Sequence, residues 1–126
     1  WGTDVDDAAV ARAARNAAAL GLADRARFRP LGLFDDATAP WLARVRPDVV
    51  ACNPPYIPEP PARRLALVAG SGSDGAEHPR RACDVAADAG VPRLVLSWCS
   101  LGDPVGVAAH AAARGWALER LWVAAI

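Results

Sequence analysis

The segment Asp48–Pro58 reads DVVACNPPYIP, and its interpretation decides the fold. An apolar, β-branched run follows Pro47 and stops abruptly on Asn53. A short run of this kind between breakers is the pattern of a strand buried on both faces, as in parallel sheets. Two prolines and a tyrosine come next. Proline fixes φ and lacks an N–H, so the strand cannot continue and the chain beyond Asn53 is stiff.

Working outward, the alternation of elements becomes regular. Upstream, WGTDV (1–5) is predicted to end a strand. Asp6 is predicted to cap a helix, with Asp7 in its favourable first turn. Val10, Ala13, Ala14, Ala17 and Leu20 share one face of that helix, and Gly21 stops it. ARFRPLGLF (26–34) is a short strand candidate, and 35–46 a loop or short helix carrying Trp41. Downstream, residues 53–75 are rich in Pro, Gly and Ser, with an apolar island at Leu65–Ala69. So long an irregular stretch in a compact domain argues for a functional loop. Ala76–Ala89 is predicted helical with Pro79 in its first turn. PRLVLSW (92–98) is a second buried strand, and Pro104 fits the first turn of a helix ending near Gly115. WALERLWVAAI (116–126) is expected to be a last strand. The whole predicts one α/β domain over residues 1–126, a parallel sheet with helices on both faces.

Bulk properties bound the function. The 126 residues are 53% hydrophobic and 22% charged, with a formal net charge of zero. That balance argues against nucleic-acid binding driven by bulk charge, while leaving a local basic patch open. All basic residues other than histidine are arginine, and alanine is abundant, which a coding bias explains. Cys52, Cys83 and Cys99 are an odd number without CxxC spacing, so reduced thiols of a cytoplasmic protein are expected. With His78 and His110 they fit no zinc spacing, and no metal is expected. No signal peptide or long apolar run is visible.

In open parallel sheets ligands sit outside the carboxyl ends of the strands. Asp4 and Asn53 occupy such ends, and both are expected to face one crevice. With Pro54 and Pro55 fixing the backbone, the Asn53 side-chain oxygen and the Pro54 carbonyl can act as two fixed acceptors. Two acceptors that grip both N–H bonds of a planar –NH2 orient its nitrogen. They also stabilise the positive charge that grows on it during attack. Tyr56 offers a flat face for stacking. The plainer alternative is a turn that merely closes a strand, since Asn and Pro are ordinary turn residues.

DVVACNPPYIP resembles the NPPY signature of class I S-adenosylmethionine-dependent methyltransferases that modify planar nitrogens. These include the release factor glutamine methyltransferases and the adenine or guanine exocyclic-amine methyltransferases. GTDVDDAAVARAARNAAALGL, with Asn16, resembles the family's second-strand acid and following helix. The resemblance is good from Gly2 to Pro58 and looser through GSDGAEHPRR and LVLSWCSLGDP. It implies a Rossmann-like fold and S-adenosylmethionine as cofactor. Asp4 would accept hydrogen bonds from the ribose hydroxyls, a role that suits a carboxylate's two oxygens. The resemblance places Val5 against the adenine and Leu33 near its edge. Asn53, Pro54, Pro55 and Tyr56 would hold the substrate, with Asn53, Pro54 and Tyr56 catalytic and Asn53 also beside the cofactor. Ile57-Pro58 favours a protein glutamine, as in a release factor. A nucleobase amine is the alternative substrate, and a non-catalytic Rossmann-like module or a nicotinamide oxidoreductase the alternative class. The oxidoreductase leaves Asn53 to Tyr56 unexplained.

Other features have plainer readings. Trp41 and Trp98 are expected in the core. Glu59, Arg63 and Arg64 could touch substrate, but a solvated loop is the reading preferred for them. GSGSDG (70–75) resembles a phosphate-binding loop in composition only. Two departures from the family stand out. The acid expected after the third strand is replaced by Gly32, with Asp35 and Asp36 in shifted register. The family's glycine-rich loop, which precedes the Asp4 strand, is not in the chain, which opens on Trp1 and has no methionine. A fragment lacking its first strand is therefore expected, inactive alone and binding cofactor weakly or not at all.

Overall fold

A computed structural model describes residues 1–60 and 70–124. Among the described residues eight elements alternate: β1 (Gly2–Asp4), α1 (Asp7–Ala19), β2 (Phe28–Pro30), α2 (Thr38–Val45), β3 (Val50–Cys52), α3 (Glu77–Asp88), β4 (Leu94–Leu96) and α4 (Pro104–Ala113). The chain divides into two units, Trp1–Thr38 and Ala39–Ile126. The architecture is mixed α/β, with four helices and short parallel strands.

The first unit is one βαβ motif. β1 and β2 pair in parallel, Gly2 opposite Phe28 and Asp4 opposite Pro30. Asp6 caps α1 as its sequence position demands, its Oδ1 accepting from Ala8 N at 2.8 Å. Replacing such a cap costs about 1 kcal/mol. Ala17 is buried and Val10 and Ala13 are half-buried, so small residues let the helix lie close to the strands. Leu20 departs from the expected stripe, being 73% exposed. It is the C-cap, with φ −90° and ψ 4°, so the helical spacing no longer governs where its side chain goes.

The second unit repeats the motif with β3 and β4 in parallel, Val50 opposite Leu94 and Cys52 opposite Leu96. α3 packs on β4 and on α4, which is why it buries Ala82, Cys83, Val85 and Ala86 along one broad face. Trp116 Nε1 donates to the Cys83 carbonyl at 3.1 Å, and Asp84 on α3 meets His110 and Arg114 at the end of α4. Trp41 is buried, and the segment that carries it is helical. Helices α1, α3 and α4 end alike: Gly21, Gly90 and Gly115 have φ of 67° to 85°. In each, the residue after the glycine donates back to the carbonyl five residues earlier.

Three expectations need correction. Among the described residues the strands pair only within each unit, as two two-stranded sheets rather than one. Among the described residues no helix covers the Ala51–Val95 face of the β3–β4 pair: these two, opposite in register, are exposed, while Val50, Cys52, Leu94 and Leu96 are half-buried and α3 packs on β4. No strand forms over residues 116–124. A strand needs a ladder partner, and among the described residues none pairs with this segment. Leu118, Leu121, Trp122 and Val123 stay exposed, and Arg120 instead lies over the Trp122 ring, 5.4 Å from its centroid. The apolar island at Leu65–Ala69, with Arg63 and Arg64, lies outside the described residues.

Candidate functional site

Within the second unit, the register of the sheet builds the site. Cys52 is the last residue of β3 and Leu96, its partner, the last of β4. Asn53 and Ser97 are therefore the next step of both strands, at the same carboxyl edge. Ser97 N donates to the Cys52 carbonyl at 3.1 Å, extending the ladder by one bond. Ser97 Oγ then donates to Asn53 Oδ1 at 2.5 Å. A carbonyl oxygen has two lone pairs, so this bond orients the amide and leaves Oδ1 able to accept a second donor. Asn53 is exposed, which leaves its amide open to solvent and to a ligand.

Beyond Asn53 the chain is held from below. Pro54 is buried, and Pro55 and Tyr56 are half-buried. Ile57 forms a parallel bridge with Gly70. Ser71 N donates to the Ile57 carbonyl at 3.0 Å, and Glu59 N to the Gly72 carbonyl at 2.8 Å. The Gly70–Gly75 segment thus braces the exit of the Asn53–Tyr56 turn. Its own anchor is Ser71, which is fully buried. Ser71 Oγ accepts from His78 N at 2.9 Å and lies 3.0 Å from His78 Nδ1. Glu59 is half-buried, its carboxylate covering Gly70 so closely that a Cβ there would stand 1.9 Å from Oε1.

Burial pushes the Cys52 thiol up. Cys83 is pushed up to about 11, mainly by burial, with Asp84 and Cys52 adding to it. Both remain neutral thiols at physiological pH, which removes them as nucleophiles. All three cysteines are unpaired. Among the described residues no three His, Cys, Asp or Glu side chains converge as a metal site, and no helix is long and apolar enough to cross a membrane.

In the first unit, Asp4 stands at the carboxyl end of β1 and is exposed. Its Oδ1 accepts from Asp6 N at 2.9 Å, a local turn that points the chain into α1. Val5 is 64% exposed, an apolar surface beside the carboxylate in sequence. Leu33 is half-buried. Gly32 is buried, and a Cβ on it would come within 2.7 Å of Val5 Cγ1. Gly32 N donates to Asp35 Oδ2 at 2.5 Å, and its carbonyl accepts from Thr38 Oγ1. Asp35 therefore folds back onto the backbone of the very residue that replaces the expected acid. A shallow depression of about 410 Å³ in this unit, lined by Trp1, Ala14 and Phe28 among others, includes neither Asp4, Val5 nor Leu33.

Ser97 escaped the sequence reading. The signal was present: RLVLS and DVVACN each end an apolar run on a polar residue. Only the register tells that the two polar residues meet.

The chain is similar to the ribosomal protein uL3 glutamine methyltransferase of Bordetella pertussis. It is 36% identical to it over 86 residues, covering 62% of this chain and 27% of that protein. This similarity relates the chain to methyltransferases. No protein-family description matches the chain, and no solved structure matches it.

Proposed function

We propose that this chain belongs to an S-adenosylmethionine-dependent N-methyltransferase that acts on the side-chain amide of a glutamine in a protein. The observation that carries the reading is Asn53: exposed, at the carboxyl edge of a parallel pair, with its oxygen oriented by Ser97. The relative's name, a glutamine methyltransferase of a ribosomal protein, supports a protein substrate. The chain spans about a quarter of that relative, so the activity, substrate and partner of the whole protein are part of the proposal.

The residues present suit the nucleoside half of the cofactor. Asp4 is an exposed carboxylate able to accept from a vicinal diol, and Val5 and Leu33 provide apolar surface for a purine. When bound, S-adenosylmethionine supplies a methyl carbon made electrophilic by its sulfonium, which departs as a neutral thioether. Asn53 Oδ1 and the Pro54 carbonyl accept the two N–H bonds of the substrate amide. That grip turns the nitrogen's π face to the methyl carbon and stabilises the charge that develops as the N–C bond forms. One proton becomes acidic only after that bond exists and passes to water, so no strong base is required. Tyr56 supports the planar amide on its ring face.

The test is methyl transfer by the full-length protein to a glutamine-bearing protein substrate, located by mass spectrometry. Asn53→Ala is expected to lower kcat by about 100-fold or more while the circular dichroism spectrum stays unchanged, the scale of losing a preorganised polar contact. Undiminished turnover in that variant refutes the assigned role.

A further inference from the structure

The Tyr56 carbonyl has unusual surroundings. A Cβ on Gly75 would stand 2.6 Å from the Tyr56 carbonyl oxygen, 2.9 Å from Pro58 Cδ and 3.0 Å from Gly102 Cα. A Cβ on Gly102 would stand 3.1 Å from the same oxygen and 3.0 Å from the Gly75 carbonyl oxygen. Three stretches of backbone, around Tyr56, Gly75 and Gly102, are thus packed with no room for a side chain between them. The packing is not left to contact alone. Asp103 N donates to the Asp74 carbonyl at 3.1 Å, joining the residues that follow Gly102 and precede Gly75. Arg80 then forks across both: Nη1 to Asp74 Oδ2 at 2.7 Å and Nη2 to Asp103 Oδ2 at 3.0 Å. Both carboxylates also accept backbone N–H groups, Asp74 from Ala76 and Asp103 from Gly106.

We infer that Gly75, backed by Gly102 and clamped through Arg80, is a positioning residue that sets the height and tilt of the Tyr56 ring under the methyl acceptor. This inference rests on the proposed role of Tyr56 as the plate beneath the substrate amide. The physical reason is that the ring is attached to a backbone whose carbonyl is packed against Gly75 and Gly102. Any side chain at Gly75 must lift the Tyr56–Pro58 backbone, and the stacking face moves with it. A displacement of a fraction of an ångström is enough to spoil attack geometry.

The test uses the fact that Tyr56 is the single tyrosine of the sequence. Labelled with 3-fluorotyrosine, it gives one 19F resonance from this chain. Gly75→Ala is compared with Gly90→Ala. Both glycines have φ near 70°, at 71° and 67°, so both variants carry the same backbone strain, but nothing lies within 4 Å of a Cβ at Gly90. Gly75→Ala is expected to shift the fluorine line and lower kcat at least tenfold, with the cofactor KM within twofold of wild type. Gly90→Ala is expected to do neither. A fluorine line unmoved by Gly75→Ala, or moved without any fall in kcat, overturns the inference. If Gly75→Ala does not fold, Gly102→Ala, free of the positive φ, takes its place with a smaller shift expected, and an unmoved line overturns the inference equally. If the wild-type protein methylates no glutamine, the proposed function fails, and the fluorine line alone still decides whether Gly75 positions Tyr56.

Discussion

The carboxyl ends of β1 and β3 carry Asp4 and Asn53, two polar residues held in opposite ways. Asp4 is held by its own neighbourhood: its carboxylate accepts from Asp6 N two residues on, and the turn then feeds a capped helix. Asn53 is held from a distance: its oxygen is oriented by Ser97, 44 residues away in sequence, and the turn beyond it is braced by the Gly70–Gly75 segment. A local turn keeps its shape whatever surrounds it. A site assembled across strands depends on register, loop and helix together. The difference suits the proposed roles, because holding a diol tolerates small displacements and aligning an attacking nitrogen does not.

The sharpest way to break this contrast is at Ser97. Ser97→Ala removes the donor that orients Asn53 Oδ1, while the amide remains. A hydrogen bond of this kind is worth up to about 1.5 kcal/mol net. Loss of orientation is therefore expected to lower kcat roughly tenfold with the cofactor KM unchanged. Ser97→Thr, which keeps the hydroxyl, should restore most of it. Steady-state kinetics of the two variants check this, and equal kcat for Ser97→Ala and wild type would leave the bond without a role.

At the other end the expected effect is smaller and of another kind. Asp4→Asn keeps an acceptor for Asp6 N but loses the charge and one of the two acceptor oxygens offered to a diol. The cofactor KM is expected to rise about fivefold, on the scale of one weakened charge-assisted hydrogen bond, with kcat little changed. Asp6→Ala should instead lower unfolding free energy by about 1 kcal/mol through the lost cap and leave the cofactor KM alone. Cofactor titration and thermal unfolding of the two variants separate a binding residue from a structural one two positions away.

How much of this was legible in the sequence follows the same division. What depends on neighbours in the chain could be read directly. Asp6 caps, Gly21 and Gly115 end helices, and Asn53 ends its strand, because each signal acts within a few residues. What depends on pairing could not. Ser97 meets Asn53 only because Cys52 stands opposite Leu96. Gly75 presses on Tyr56 only because the Gly70–Gly75 segment returns alongside Ile57. The Trp116–Ala124 segment alternates like a strand, yet a strand is a relation with a partner, and alternation says nothing of whether one is there. Leu20 fell off its stripe where the helix geometry ends. The composition of GSGSDG suggested a phosphate loop or a solvated one; its burial and bonds make it a brace.

The smallest expected effect concerns the anchor of that brace. Desolvation holds the His78 imidazole below its ordinary value of 6.5, against the opposing pull of Glu77 and Glu59. With the ring neutral and its proton on Nε2, the buried Ser71 hydroxyl accepts from His78 N and donates to His78 Nδ1. Protonating Nδ1 turns the acceptor into a donor, and the buried hydroxyl proton then has no partner at the ring. Because the folded-state value is depressed, the unfolded chain binds more protons just below pH 6.5, so stability rises with pH through that window and falls as pH drops from 7 towards 5. His78→Asn retains an acceptor close to Nδ1 and cannot titrate, so thermal unfolding measured across this range should flatten in the variant. Asp74, lowered by the Ala76 N–H and then by Arg80, adds its own loss only as pH falls below its ordinary 3.8. A slope between pH 7 and 5 that persists unchanged in His78→Asn would mean that the Ser71 anchor tolerates the charged ring, and that the Asn53 end of the molecule is less dependent on its distant supports than the contrast with Asp4 requires.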